Sequence, residues 1–444
     1  MTPLFQKCNP IQDNEVLGYQ AALQSTQGNI LKSHGRDHTA NVFLSFTGPQ
    51  AGLKQAIRAL APSVTSAYVQ SQHAAEHKKG KESLFTGFGL TACGYRALGH
   101  DPDQLQSPEF SGGMTGAGKR LLDRPVSKWE PPFQKPIHAM LLLAHADLTE
   151  LTKQTNAVIT RFTGLADIWA EFGYKIPKGN ETLEQFGFVD GVSQPIFFQS
   201  DIKGSTAQWD PGAGTKLVLV KDPFGNTDDD CGSFYVFRKL WQDVEGFNKR
   251  VACLQSKLAK GQDQELAGAL IVGRFKDGTP VVGYKKPHGN TENDFVYKGV
   301  PPDLGADPFD RKCPISGHIR KVNPRGGTGE LVTDLVTERN RRIARRGITY
   351  GDARKDPDAG LLFQCCQSDL KNQFEFLQGT WSNTPEQPPS SGTDPISAQS
   401  TPENQLWPLK WDTPRKVDLD FGGFVTLKGG AYFFLPSITS LKNI

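Results

Sequence analysis

The alternation of hydrophobic and polar positions predicts a series of strands and helices in the N-terminal half of the chain. Apolar segments of strand length are separated by segments whose apolar residues recur every three or four positions, as on one face of a helix. The predicted elements are, in order, strand Val42–Phe46, helix Gly52–Leu60, strands Ser83–Thr91 and Ile137–Ala144, a helix that follows the N-cap residue Asp147 and ends near Arg161, and strand Gly164–Trp169. This β-α-β-β-α-β order is that of the ferredoxin-like unit.

The same order of elements recurs in the C-terminal half, although the residues themselves show no repeat. The predicted elements are strand Gly232–Leu240, helix Val244–Leu258, strands Arg346–Tyr350 and Leu361–Gln367, a helix from Ser368 or Asp369 to Trp381, and strand Gly430–Leu435. Polar segments rich in Pro, Gly or Ser predict loops at 101–135 and 383–406, the second one on the surface. The pattern therefore predicts an α+β protein in which helices pack on antiparallel sheets.

The chain length and the repeated order predict either two domains or one large duplicated unit. Residues 1–35 lack sustained periodicity, and we expect them to wrap the first domain. We expect residues 36–198 to form the first ferredoxin-like domain and residues 199–444 to form the second.

The charge balance and the apolar content exclude several classes of protein. The 50 Lys and Arg residues against 47 Asp and Glu residues give a net charge of +3, which offers no electrostatic basis for binding nucleic acid or an anionic membrane. No apolar run reaches the length of a membrane span, and no signal-peptide pattern is visible, so the sequence predicts a cytoplasmic protein. Seven cysteines without a CxxC pair favour reduced thiols over a disulfide framework.

The segment from Cys313 to Gly351 contains the residue types of a redox or metal site. The imidazole of His318 is a strong ligand for haem iron, and a basic cluster at 339–346 can stabilise negative charge on bound oxygen species. On the residues alone, a structural histidine and a solvated arginine-rich helix face remain open. Asp190 lies in an Asp-Gly pair between apolar residues, and a carboxylate can move a proton during peroxide cleavage.

Motifs spread in a fixed order over most of the chain resemble those of one protein family. They are CPISGHIRKVNPR followed by RRGITYG, the GxxDG motif within Phe186–Pro195, and the segments Gly360–Cys365 and Gly429–Ser437; Gln27–His38 is similar to the longer fungal and cyanobacterial members. The sequence thus resembles the dye-decolorizing peroxidase family. The resemblance implies two ferredoxin-like units in a dimeric α+β barrel-type fold, with haem held in the second unit.

The resemblance also implies roles for individual residues. His318 is implied as the proximal ligand to iron, Asp190 as the residue that transfers the proton of peroxide, and Arg345 as the distal arginine. A ligand histidine usually donates its other N–H to an acceptor, and the family places a carboxylate there. Asp369 is the candidate and Glu375 the weaker alternative, although an Asp at the start of a helix is also a natural cap.

Further residues are expected around the cofactor. Leu361 and Phe363 lie on one strand face and resemble the apolar lining of the distal pocket, with core packing as an equal alternative. Arg346 is expected either at the surface or as the partner of a haem propionate. Surface Trp or Tyr residues can relay electrons from bulky donors, and Trp381 and Tyr350 are the candidates.

The resulting hypothesis is a haem peroxidase that reduces hydrogen peroxide and oxidises aromatic or dye-like donors in one-electron steps. We expect one haem b per chain, bound without a covalent link because no CxxCH segment is present, in a monomer or homodimer. Nucleic-acid and membrane partners are not expected. Two alternatives remain open: a haem-binding protein without substantial peroxidase turnover, and a zinc hydrolase that uses His73, Glu76 and His77 of an HxxEH motif.

Overall fold

The computed structural model describes residues 1–77, 83–179, 181–202, 211–289, 291–298, 306–327 and 335–444, with the backbone alone for 73–77. The helices are α1 (Gln20–Ser25), α2 (Gln50–Leu60), α3 (Ala67–His77), α4 (Ala92–Ala97), α5 (Pro108–Leu121), α6 (Leu148–Ile159), α7 (Val244–Lys257), α8 (Gln264–Val272), α9 (His318–Val322), α10 (Leu335–Asn340) and α11 (Ile438–Asn443). The strands are β1 (His38–Phe46), β2 (Phe85–Leu90), β3 (Ala139–His145), β4 (Ala166–Tyr174), β5 (Ile176–Lys178), β6 (Glu181–Leu183), β7 (Val220–Lys221), β8 (Cys231–Gln242), β9 (Ala344–Arg345), β10 (Ile348–Tyr350), β11 (Gly360–Gln367), β12 (Leu406–Pro408), β13 (Lys416–Asp418) and β14 (Val425–Leu435). Widened π-type turns cover Lys371–Glu375 and Leu377–Ser382.

One large antiparallel sheet organises the molecule. Its strand order is β10-β11-β8-β14-β2-β3-β1-β4, with β7 beside β8 and β9 beside β11. Strands β1, β2, β3 and β4 form one ferredoxin-like unit. Strands β8, β10, β11 and β14 form another unit with the same internal order. The units meet where Phe434 of β14 pairs with Leu90 of β2. The two predicted ferredoxin-like units are confirmed, whereas the domain boundaries after residues 35 and 198 stay predictions.

The two end strands of the sheet approach each other without pairing. The Thr349 hydroxyl donates a hydrogen bond to the carbonyl oxygen of Tyr174, and the Tyr174 hydroxyl donates to the carbonyl oxygen of Gly351. Within the described residues, β4 and β10 share no ladder, so the sheet is strongly curved but is not a closed barrel.

The helices pack on the sheet through the apolar faces that the sequence predicts. In α2 the side chains of Leu53, Ile57 and Leu60 are buried because their spacing places them on one side of the helix. Helix α6 begins after Asp147, whose side chain accepts a hydrogen bond of 2.7 Å from the backbone N–H of Glu150, as expected of an N-cap.

Aromatic side chains join the two units at the centre of the sheet. The ring of Phe43 on β1 lies 4.8 Å from that of Phe237 on β8 and 5.4 Å from those of Phe133 and Trp169. Phe43 and Phe237 belong to different units and are both fully buried. The hydrophobic effect therefore stabilises the two units together rather than separately.

A second hydrophobic core lies around α7 and α8 and fixes the GxxDG segment. The Phe186 ring stacks on Phe247 of α7 with centroids 4.1 Å apart, and Phe188 contacts the same ring edge-on at 6.3 Å. Both phenylalanines of the segment are buried. Asp190 therefore follows a rigidly anchored stretch of chain.

The prediction of a loop at 101–135 is wrong, and the loop at 383–406 is confirmed but does not lie on the surface. The segment 101–135 contains α5, which begins after Ser107, whose side chain accepts a hydrogen bond from the Phe110 N–H. The Pro-rich segment 383–406 is largely internal, since Ser391, Thr393 and Asp394 are buried. No helix in the described ranges is long and apolar enough to cross a membrane.

Candidate active site

His318 is the first residue of α9, and its imidazole is held by a carboxylate. Its Nδ1 lies 3.0 Å from Oδ1 and 2.9 Å from Oδ2 of Asp394. The His318 side chain keeps 25% of its surface exposed, whereas that of Asp394 is fully buried. No described residue forms a hydrogen bond with Nε2, so one ring nitrogen is anchored and the other is available.

Asp394 is itself fixed by the backbone that follows it. Its Oδ1 accepts hydrogen bonds from the N–H groups of Ile396 at 2.8 Å and Ser397 at 2.6 Å. Burial alone raises the pKa of this carboxyl, but the His318 ring and these two N–H donors outweigh burial and lower the pKa below its ordinary value. The group is therefore held as a carboxylate facing His318.

The predicted carboxylate partner of His318 is wrong. The side chain of Asp369 instead accepts hydrogen bonds from the backbone and side-chain N–H groups of Asn372, at 2.9 and 2.7 Å, which is the alternative capping role. Glu375, the second candidate, accepts hydrogen bonds from Arg120 and Tyr432. Asp394 lies in a segment whose composition indicates a surface loop, and no local pattern distinguishes it.

Lys321, one turn after His318, ties α9 to the segment that carries Asp394. Its fully buried ammonium group donates to the carbonyl oxygens of Thr384 at 3.1 Å and Gln387 at 3.0 Å, and to the Ser391 hydroxyl at 2.6 Å. Burial lowers the pKa of Lys321 to about 8. The three hydrogen bonds fix the distance between the two elements that supply His318 and Asp394.

Asp190 and Arg345 face each other across a second part of the site. Arg345 Nη1 lies 3.4 Å from Asp190 Oδ1, and Arg345 Nη2 donates to the carbonyl oxygen of Ser193 at 3.1 Å. The side chain of Arg345 is 37% exposed and that of Asp190 is 32% exposed, so both can reach a small molecule. The structure thus brings together the two residues that the resemblance implies on the distal side, and both remain partly exposed.

A buried arginine links this pair to the chain after α9. Arg325 Nη2 donates to the hydroxyl of Ser193 at 3.2 Å, and its Nη1 donates to the carbonyl oxygen of Asn293 at 2.6 Å. Ser193 therefore accepts hydrogen bonds from both Arg345 and Arg325. This contact connects the GxxDG segment with the loop that leaves the His318 helix, a relation that the sequence does not reveal.

The other predicted cofactor residues occupy different positions. Arg346 is buried and donates to the carbonyl oxygens of Asn29 and Ile30, so its guanidinium binds the N-terminal segment and is not a surface charge. Leu361 and Phe363 are half-buried neighbours on one face of β11, as the alternation predicts.

The two candidates for a surface electron relay are not supported by their positions. Trp381 is 1% and Tyr350 is 5% exposed, so neither is a surface relay residue. The side chains of His73, Glu76 and His77 lie outside the described residues. Among the described residues, no group of three or more His, Cys, Asp or Glu side chains is arranged to hold a metal ion.

The geometry around His318 fits a haem iron that takes one protein ligand. A single imidazole with a free Nε2 and a carboxylate on Nδ1 is the arrangement that metal-binding histidines use, because the carboxylate orients the ring and increases its donor strength. A zinc site would need further protein ligands beside the histidine.

Comparisons with known proteins identify the family of the chain, although no family model matches it. The multifunctional dye peroxidase DyP2 of Amycolatopsis sp. is 36% identical over 457 aligned positions, covering 95% of this chain and 96% of that protein. The dye-decolorizing peroxidase msp1 of Mycetinis scorodonius is 31% identical, over 80% of this chain and 75% of its own. The crystal structure of an Anabaena sp. DyP-type peroxidase superposes with a TM-score of 0.91 at 37% identity, covering 98% and 96% of the two chains. The chain therefore belongs to the dye-decolorizing peroxidase family and is a haem-dependent peroxidase.

Proposed function

We propose that His318 is the sole protein ligand to the haem iron and that Asp394 holds it in the binding tautomer. The supporting observation is the pair of contacts between Nδ1 and the buried Asp394 carboxylate. Because a carboxylate only accepts hydrogen bonds, it keeps the ring proton on Nδ1. The lone pair of Nε2 is then free for the iron.

We propose that Asp190 and Arg345 act together on hydrogen peroxide. Asp190 accepts the proton from one peroxide oxygen and returns it to the other, which becomes the leaving oxygen. Arg345 stabilises the negative charge that develops as the oxygen–oxygen bond breaks. The 3.4 Å contact between the two side chains and the anchoring of Arg345 on Ser193 support a joint role.

The cofactor inferred for this site is one haem b, bound without a covalent link. When bound, haem supplies the iron at which peroxide is reduced and the oxidising equivalents that are passed to donors. Each peroxide takes up two electrons and two protons and leaves as two water molecules. Two aromatic donors, such as a dye or a phenol, therefore each lose one electron.

The test of the distal pair is a rapid-mixing experiment with purified holoprotein and hydrogen peroxide. We compare the parent with Asp190→Asn, Arg345→Leu and the double variant, following the change in haem absorbance. Each single change is expected to slow the peroxide-dependent step by about 100-fold or more, and the double variant is expected to be little slower than the worse single variant.

Haem content separates a loss of chemistry from a loss of binding. Both single variants are expected to keep the haem content of the parent, because neither residue is the proposed ligand. His318→Ala is expected to lose most haem, and a variant that retains the parent's haem content and spectrum would rule out the ligand assignment. If both distal variants react with peroxide at the parent rate, their proposed roles are wrong.

A further inference from the structure

A surface groove runs along the C-terminal half of α5, a helix that is distant from His318 in the sequence. It encloses about 490 Å³ and opens widely to solvent. It lies between the last two turns of α5 and the segment that follows the helix. Its lining residues are Thr115, Gly118, Lys119, Leu122, Asp123, Arg124, Pro125, Val126 and Trp129.

The groove carries two cations for which the described part of the chain supplies no ion-pair partner. Within the described ranges, neither Lys119 nor Arg124 has an acidic group at ion-pair distance. Asp123 also lines the groove, but its carboxylate is held by Arg238 through two hydrogen bonds of 2.5 and 2.9 Å, with both side chains buried. The charge that remains for a ligand is therefore positive.

One wall of the groove is apolar. Leu122 is 48% exposed and has a φ of 54°, a left-handed conformation that a non-glycine residue adopts only at an energetic cost. A glycine is the common residue at such a helix end. Leu122 thus places exposed apolar surface beside Pro125, Val126 and the largely buried Trp129, at a position where the backbone alone favours another residue.

Gly118 lines the groove and keeps it open, although no packing contact requires a glycine at this position. A Cβ atom added to Gly118 would meet no atom within 4 Å, so no close contact excludes a side chain. Glycine inside a helix costs about 1 kcal/mol relative to alanine. The same open surroundings hold at Gly116, which does not line the groove and therefore provides a control position.

We propose that this groove is a binding site for an aromatic anion, a planar ring system that carries a sulfonate or carboxylate. The ring lies against Leu122 and Val126, and the acidic group is placed between Lys119 and Arg124. The role of such a ligand as an electron donor rests on the proposed peroxidase function, whereas its binding does not.

Contacts inside the protein connect the groove with the predicted distal face of β11. Asp123 binds Arg238, the Arg238 guanidinium lies 5.5 Å from the Phe374 ring, and that ring lies 6.1 Å from Phe363. A donor bound in the groove is thus connected to Phe363 through the side chains of Asp123, Arg238 and Phe374. This position favours a site for donors too bulky to reach the iron directly.

Equilibrium dialysis of the holoprotein without peroxide tests the binding, with naphthalene-2-sulfonate as the anionic probe and 2-naphthalenemethanol as its neutral counterpart. We expect one sulfonate per chain. The Lys119→Gln/Arg124→Gln variant is expected to bind the sulfonate about threefold to tenfold more weakly, as two exposed charge pairs predict, and the neutral probe as the parent does. Gly118→Leu is expected to weaken both probes.

Matched variants and kinetics distinguish the possible outcomes. Gly116→Leu introduces the same side chain on the same helix, and Lys128→Gln removes a neighbouring cation; both are expected to bind as the parent does. With peroxide present, the Lys119→Gln/Arg124→Gln variant is expected to raise KM for an anionic dye at unchanged kcat. The site is overturned if the sulfonate does not bind one-to-one, or if the parent, the charge variant and Gly118→Leu bind it equally. If the dialysis results are as expected but peroxide is not turned over, only the proposed function is refuted.

Discussion

Asp394→Asn is expected to reverse the tautomer of His318 and thereby weaken haem binding. The amide keeps the shape of the carboxylate, and its oxygen can still accept from Ile396 and Ser397. Its NH₂ group then faces Nδ1 of His318. Because two N–H groups cannot hydrogen-bond to each other, the ring is stabilised with its proton on Nε2, the atom that we propose as the iron ligand.

The size of the effect follows from the contacts that are lost. The parent carboxylate makes a charge-assisted hydrogen bond to Nδ1 at 2.9 Å inside a buried site, and such bonds contribute about 1.5–3 kcal/mol. The loss of a group that orients a metal ligand typically lowers metal affinity by about 10–100-fold. We therefore expect a haem dissociation constant raised within that range.

The assay titrates haem into the apoprotein and follows the absorbance of the imidazole-bound form. A redox titration of the holoprotein adds a second measurement, with a higher midpoint potential expected because the ligand is less electron-rich. Asp369→Asn is the matched control, since Asn caps a helix as well as Asp does, and it is expected to leave both quantities unchanged. Parent affinity and parent potential in Asp394→Asn would refute the tautomer argument.

Three further predictions concern stability, measured by urea unfolding. Lys321 has a pKa of about 8 in the folded protein against 10.5 when solvated, so the unfolded chain binds more protons between these pH values and the free energy of unfolding rises with pH there. Lys321→Met should remove this rise, which amounts to up to ~3 kcal/mol. An unchanged slope of stability against pH would contradict the prediction. Asp123→Ala leaves Arg238 buried without its partner and should cost about 3–5 kcal/mol, whereas a loss below about 1 kcal/mol would contradict the buried pair. Phe43→Ala should cost about 3–5 kcal/mol in one transition, and two separate transitions would argue against a shared core.

The order of elements could be predicted because it depends on local patterns. The spacing of a few neighbouring side chains is enough to predict a buried strand such as β3 or an amphipathic helix such as α2. The segment that forms α5 is predicted to be a loop, and the reason is also local. Its glycines lower helix propensity, and they lie where a side chain would find open space, so the helix depends on its Ser107 cap and on the burial of Phe110, Met114 and Leu121.

The partner of His318 could not be predicted, because its burial depends on contacts between distant parts of the chain. The segment around Asp394 is polar and rich in proline, which by composition indicates solvent exposure. Its polar groups are nevertheless satisfied inside the protein: Lys321 binds three of them, and the Gln405 side chain donates to the carbonyl oxygen of Thr393. A buried polar segment with complete hydrogen bonding is stable, but its composition is the same as that of a solvated one. The carboxylate that orients His318 is therefore the site residue that sequence patterns identify least well.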